Sequence, residues 1–340
     1  MDRPPWRASI LAWTPKWGRG MTLSKAGEEA AKPMGAAPAA FDVLHPDKQS
    51  VPLVFTSPHS GQHYPDELIT ASELPELLLR RSADNFVDGL FAAAPEHGAP
   101  LLRVGYARAY LDLNREPWEL DPTMFAEELP SHVNATSLRV AGGLGTIPRL
   151  AADGRDIYRG KLDFAEVGQR LNKVYFPYHH CLARMLEDCQ RAFGHCLLID
   201  CHSMPSSNSP VGNGGDAGKG PTPVAAPGTI GRADFVLGDR FGTACSPELI
   251  DCVHDVLSGL GFAVRRNNPY AGGFTTYHYG RPGAGVHALQ IEINRRLFMD
   301  EEQVAATPGM ARMEAAMTAV IEALCRLPDA YFTPQRAAAE

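Results

Sequence analysis

No run of about 18 consecutive apolar residues, the length a helix needs to cross a bilayer, occurs in the 340-residue chain. No membrane span is therefore expected. Positive charge is also scarce. Lys and Arg total 32 against 39 Asp and Glu, for a formal net charge of -7. Proteins held to nucleic acid by neutralising phosphates carry the opposite sign, so no nucleic-acid partner is expected. The seven cysteines are odd in number and none is spaced CxxC, which argues against zinc knuckles and redox pairs. They read as reduced, mostly buried thiols of a cytoplasmic protein. Neither GxGxxG nor a P-loop is present, which weakens the case for a nucleotide cofactor. The remaining composition, 44% hydrophobic and 21% charged, suits a globular domain.

Residues 1–40 show no sustained period and read as a flexible extension. A single domain is expected over 41–330, then a tail at 331–340. Within the domain, apolar β-branched runs alternate with helical periodicity. Strands are expected in 51–61, where the run empties into a loop, in two pieces within 100–115, in 195–206 and 234–239, at the opening of 263–280, and in 286–298. One or two helices are expected in 72–98. Another covers about 163–193, where Pro177 kinks or splits it. Two more cover 246–262, with Ser246 as cap, and 301–326. Segments 116–160 and 206–228 read as loops. Alternation of this kind predicts an α/β fold of three layers, α/β/α, around a mainly parallel mixed sheet. Its sites belong beyond the C-terminal ends of the strands.

Two strand ends carry histidines in matching settings, SPHSG (57–61) and DCHSMP (200–205). His59 and His202 are thus candidate metal ligands, since neutral imidazole is a common zinc ligand and catalytic zinc takes three protein ligands plus water. Asp200, two residues before His202 on a strand, shares its face and suits an orienting carboxylate. For a third ligand, His63, Asp66, Glu67 and Asp84 all remain open, because no HExxH fixes the choice. Glu292 lies within the apolar strand ALQIEINRRLF. Burial would raise its pKa toward neutral and suit it to proton abstraction from water. On an edge strand it would instead face solvent or pair with Arg295 or Arg296. Arg115, at the end of AYLDLNRE, suits a carboxylate or oxyanion, or else a surface pair with Glu116 or Glu119. The loop NNPYAGG (267–273), with Asn268, Gly272 and Gly273, permits close backbone approach to a ligand. His179, beside Pro177, is a candidate for the layer behind the site.

Taken together, PHSG (58–61), SADNFVD (82–88), RAYLDLNR (108–115), FPYHHCL (176–182), LIDCHSMP (198–205), NNPYAGGFTTYHYG (267–280) and ALQIEINRRLF (288–298) resemble the N-formylglutamate amidohydrolase family. The resemblance implies a metal-dependent hydrolase related in fold to zinc carboxypeptidases and aspartoacylase. It implies cleavage of the small molecule N-formyl-L-glutamate to formate and L-glutamate, in histidine degradation. It also implies His59 and His202 as ligands of a divalent metal, zinc first, with Asp84 preferred to Glu67 as the third. Glu292 looks like the general base and Arg115 like the oxyanion or carboxylate contact. Arg108 or Arg281 would hold the glutamate carboxylates. The chain departs from carboxypeptidases in lacking HxxE, since Gln62 stands three residues after His59. Hydrolysis of another N-acyl amino acid or a γ-glutamyl bond, and ligand binding without catalysis, are the alternative readings.

Overall fold

The computed structural model describes residues 39–206 and 233–332. Almost all of the expected extension (1–40), of the 206–228 loop and of the tail (331–340) therefore lies outside the described residues. Seven strands form one sheet in the order β1-β3-β2-β4-β7-β5-β6. They are β1 (Phe41–Leu44), β2 (Leu53–Ser57), β3 (Leu101–Val104), β4 (Cys196–Met204), β5 (Phe235–Gly238), β6 (Val264–Arg266) and β7 (Val286–Asn294). Strands β3, β2, β4 and β7 run parallel, β1 is antiparallel to β3, and β5 is antiparallel to β7. The α/β fold with a mainly parallel mixed sheet is thus as the alternation predicts.

Side-chain alternation divides the core between the two faces. Val54, Leu102, Leu198 and Ala288 point into one cluster with Tyr178, Leu182 and Leu186 of the Phe176–Phe193 helix. Leu53, Phe55, Ile199, Leu289 and Ile291 point into the other. There the Pro247–Gly259 and Met310–Cys325 helices cover them with Val253, Leu257, Met317 and Ile321. Period-2 strands meeting period-3.6 helices on both faces bury two apolar layers, the arrangement the sequence pattern calls for.

Several local expectations are corrected. The second strand expected within 100–115 is absent: after Val104 the chain makes an isolated bridge from Tyr106 to His63 and then turns through 107–115. Strand β1, FDVL, falls where no strand is expected; it is a four-residue edge strand with no fully buried residue, too short to show a period. Segment 72–98 breaks into short helices, Glu76–Arg80 and Val87–Leu90, with a 3-10 turn at Ala94–His97. The break includes Phe86 with a left-handed φ of 68°, a conformation costly for a bulky side chain. Near Pro177 the helix divides, as expected. Pro177 occupies the first turn of its helix, where a missing N–H is harmless, and a π turn at Leu171–Tyr175 makes the join to Phe164–Arg170. Ser246 occupies the expected N-cap position, but its side chain makes no bond to the helix; its hydroxyl donates to Tyr331 O at 2.8 Å.

His179 is fully buried in this frame. Its Nε2 lies 2.9 Å from Leu113 O, which can only accept, so Nε2 carries the proton and Nδ1 faces Tyr279 OH at 2.9 Å. Burial, with His278 adding, pushes its pKa down to about 3. The unfolded chain therefore takes up this proton near pH 6.5 while the folded chain resists until about pH 3. Stability is lost as pH falls through that window, by about 2 kcal/mol between pH 6.5 and about pH 5 from this group alone. Urea titrations at several pH values should show that slope in the wild type and a shallower one in His179→Gln. Equal slopes would remove His179 as its source.

Candidate active site

The sheet face that is apolar near the strand starts becomes polar toward the C-terminal ends. On β4, Leu198 is followed on the same face by Asp200 and His202, and on β7 Ala288 is followed by Gln290 and Glu292. Parallel register sets Asp200 beside Gln290 and His202 beside Glu292. His59 follows β2 by two residues. Its carbonyl accepts from Asp84 N at 3.0 Å, which brings the broken helical segment over the strand ends.

His59, Asp84 and His202 form a buried cluster whose candidate donor atoms lie within 4.8 Å of one another. Asp84 Oδ2 is 3.3 Å from His59 Nδ1 and 3.0 Å from His202 Nδ1. These two separations are close to the roughly 3.3 Å between ligands of a tetrahedral site with bonds of about 2.0 to 2.1 Å. The far nitrogens are held by carboxylates. His59 Nε2 is 2.7 Å from Asp112 Oδ1, and His202 Nε2 is 3.0 Å from Asp200 Oδ1. Asn114 Nδ2 also lies 3.1 Å from His202 Nε2, while Asp200 Oδ1 is buried with no aligned hydrogen bond among the described residues. Two imidazoles with Nδ1 turned inward and Nε2 against a carboxylate form the outer layer typical of metal-binding histidines. The residues present therefore fit a divalent cation.

The charges agree with this arrangement. Burial alone would raise Asp84, but hydrogen bonds from His202 and His59 and the Arg295 cation hold it well below the usual carboxylate range. Asp112 is also held low against burial, by Arg115, Arg108 and His59. Glu292 is the exception. Burial pushes its carboxyl up to about 7, with Asp84 adding and His202, Arg108 and a Gln290 hydrogen bond opposing. That hydrogen bond, Gln290 Nε2 to Glu292 Oε1, is 2.7 Å. Glu292 lies on a central strand between β4 and β5, so the edge-strand alternative does not apply.

Comparison with known proteins agrees with the geometry. Residues 51–299 match the family model described as N-formylglutamate amidohydrolase. The chain belongs to the N-formylglutamate amidohydrolase family. An N-formylglutamate deformylase of Pseudomonas aeruginosa is 30% identical over 286 residues, covering 83% of this chain and 94% of that protein. One from Pseudomonas putida is 27% identical over 256 residues, covering 74% and 84%. The solved N-formylglutamate amidohydrolase of Ralstonia eutropha JMP134 superposes with a TM-score of 0.73 at 34% identity, covering 84% of this chain and 96% of that one. A gene product of Agrobacterium tumefaciens, 18% identical with a TM-score of 0.56, shares the fold. The chain is thus a member of an enzyme family, as the motifs imply.

Within this family member, the other candidate residues are placed unequally. His63, Asp66 and Glu67 stand outside the ligand cluster; the His63 ring packs on Tyr106 and Glu67 accepts from Tyr110 OH at 3.1 Å. Gly273 lies directly against the site. A Cβ there would sit 2.4 Å from Asn114 Nδ2, the atom 3.1 Å from His202 Nε2. Gly272, at φ 117°, leads the chain into this close approach. Asn268 is exposed, and no side-chain bond to the site is seen among the described residues.

Two expectations are corrected by position. Arg281 bonds the backbone of Val286, at the start of β7. Glu292 lies six residues further (286 to 292), about 20 Å along the strand at about 3.3 Å per residue. Arg281 therefore cannot hold a substrate in the cleft. Arg115 does not reach an oxyanion, because its guanidinium is committed to Leu144 O and Asn114 O, both at 2.7 Å, and to Asp112 Oδ2 at 3.5 Å. His179 bonds no candidate ligand among the described residues; it lies behind the site, where it supports the 112–115 segment through Leu113 O. The free capacity belongs to Arg108. Its Nε donates to Asp112 Oδ2 at 3.0 Å, and among the described residues no bond from its terminal nitrogens is seen. Sequence reasoning missed Asp112 as the carboxylate behind His59. The available signal is the DLN spacing at 112–114, which mirrors the DCH spacing at 200–202.

Proposed function

We propose that this chain hydrolyses N-formyl-L-glutamate to formate and L-glutamate, with His59, Asp84 and His202 holding a divalent cation, zinc being the first expectation. The observation that carries the reading is the direct pairing of His202 with Glu292 on adjacent central strands, beside two further buried donors. When bound, such a cation polarises the formyl carbonyl and lowers the pKa of water. Glu292, as the carboxylate, takes a proton from water as its oxygen attacks the formyl carbon. The C–N bond breaks as Glu292 returns that proton to the departing nitrogen. The Arg108 guanidinium meets the negative charge that develops on the carbonyl oxygen. Asp112 and Asp200 hold the two imidazoles in the tautomer that directs Nδ1 inward. Arg115 fixes Asp112 rather than substrate.

The deformylase names of the relatives and the family match favour N-formyl-L-glutamate over other acyl amino acids. The test is formate release across N-formyl and N-acetyl amino acids, combined with metal quantitation on the same protein. The expected result is fastest turnover of N-formyl-L-glutamate with about one metal ion bound per chain. Stoichiometric metal without formate release would reject the substrate, and turnover by metal-free protein would reject the ligand set.

A further inference from the structure

Only one oxygen of Asp84 faces the two imidazoles. The other, Oδ1, accepts from Ser203 Oγ at 3.0 Å and from Arg295 Nη2 at 3.0 Å. Arg295 also donates from Nε to Ser203 Oγ at 3.0 Å and from Nη1 to Arg81 O at 2.9 Å. Each guanidinium nitrogen therefore has a fixed acceptor, and both Arg295 and Ser203 are buried. A planar fork of this kind sets the direction of a carboxylate more firmly than a point charge does. Ser203 follows ligand His202 in β4, and Arg295 follows the last residue of β7, so the clamp is built on the two central strands. The Arg81 carbonyl adds an anchor in the segment that carries Asp84.

We infer that Arg295 and Ser203 are positioning residues that hold Asp84 as a one-oxygen ligand, with Oδ2 aimed at the cation site before any ion arrives. The inference rests on the proposed metal site. Freed from the clamp, the Asp84 carboxyl could rotate and offer both oxygens or neither. Organisation of the site would then have to accompany binding, weakening it. Loss of partners behind metal ligands typically lowers metal affinity by roughly 10- to 100-fold.

Zn²⁺ binding is measured by competition with a chromophoric chelator, using full-length protein stripped of metal. The variants are Ser203→Ala, which leaves charge unchanged, and Arg295→Lys, which keeps the charge but loses the fork. Each is expected to bind Zn²⁺ about 10-fold or more weakly than wild type. The double variant should be weakened by less than the product of the two, because the residues act as one unit. With Co²⁺ in place of Zn²⁺, both variants should show a changed visible absorption, reporting altered coordination. Zn²⁺ affinities within twofold of wild type and an unchanged Co²⁺ spectrum would overturn the clamp while leaving the metal site standing. Wild-type protein that takes up no Zn²⁺ would overturn the metal site and the clamp with it.

Discussion

Glu292→Gln is expected to lower kcat by roughly 10²- to 10⁴-fold, the usual contribution of a positioned general base, while metal content stays at the wild-type level. The substitution keeps volume and hydrogen-bonding capacity, so the amide can still meet Gln290 Nε2, which donates at 2.7 Å to Glu292 Oε1. It removes only the ability to accept and carry a proton. The pH profile supplies a second reading. Burial pushes the Glu292 carboxyl up to about 7. Only the ionised form accepts a proton, so kcat/KM should rise with pH through an acid limb. A cation at the neighbouring ligands favours the carboxylate and places that limb at about pH 7 or below. Residual activity in Glu292→Gln should lack this limb. A variant that retains both normal turnover and the limb would assign the proton transfer elsewhere.

Removal of the cation should have an effect at least as large. Stabilisation of transition-state charge by a bound divalent cation is worth about 5 kcal/mol, or roughly 10³- to 10⁴-fold in rate. Chelation should therefore abolish most formate release, and added Zn²⁺ should restore it. His59→Ala should behave like chelated protein, with no recovery at micromolar Zn²⁺, because one of three donors has gone and Asp112 loses its imidazole partner. Binding to the folded state alone raises stability by mass action, so the melting temperature of wild type should fall on chelation. The same treatment should leave the melting temperature of His59→Ala unchanged. Full activity in chelated wild type, verified as metal-free, would refute the ligand assignment.

Much of this site is legible in the sequence because its residues sit at strand ends, where apolar runs give way to polar ones. His59, His202 and Glu292 each follow or interrupt such a run, and the alternation that marks the strands also marks the face. Asp84 is harder to place. It lies in a segment with helical spacing, and the left-handed turn at Phe86 that breaks the helix leaves no local sequence signal. The arginines are hardest of all. Arg108, Arg115, Arg281 and Arg295 look alike as residues, and only tertiary placement separates one with terminal nitrogens free among the described residues from one tied to backbone carbonyls, one at the far end of a strand and one bonded to Asp84. Long flexible cations are decided by what lies within reach, and a linear pattern records none of that.

Strand β7 lies between β4 and β5, although it is the last of the seven in chain order. A nascent chain on the ribosome must therefore hold the whole length of β4, nine residues from Cys196 to Met204, with one hydrogen-bonding side open until residue 294 has emerged. An uncovered apolar strand is a template for pairing with another molecule. Slower release of the final stretch, or truncation ahead of it, should appear as insolubility during expression well before it appears as lost turnover.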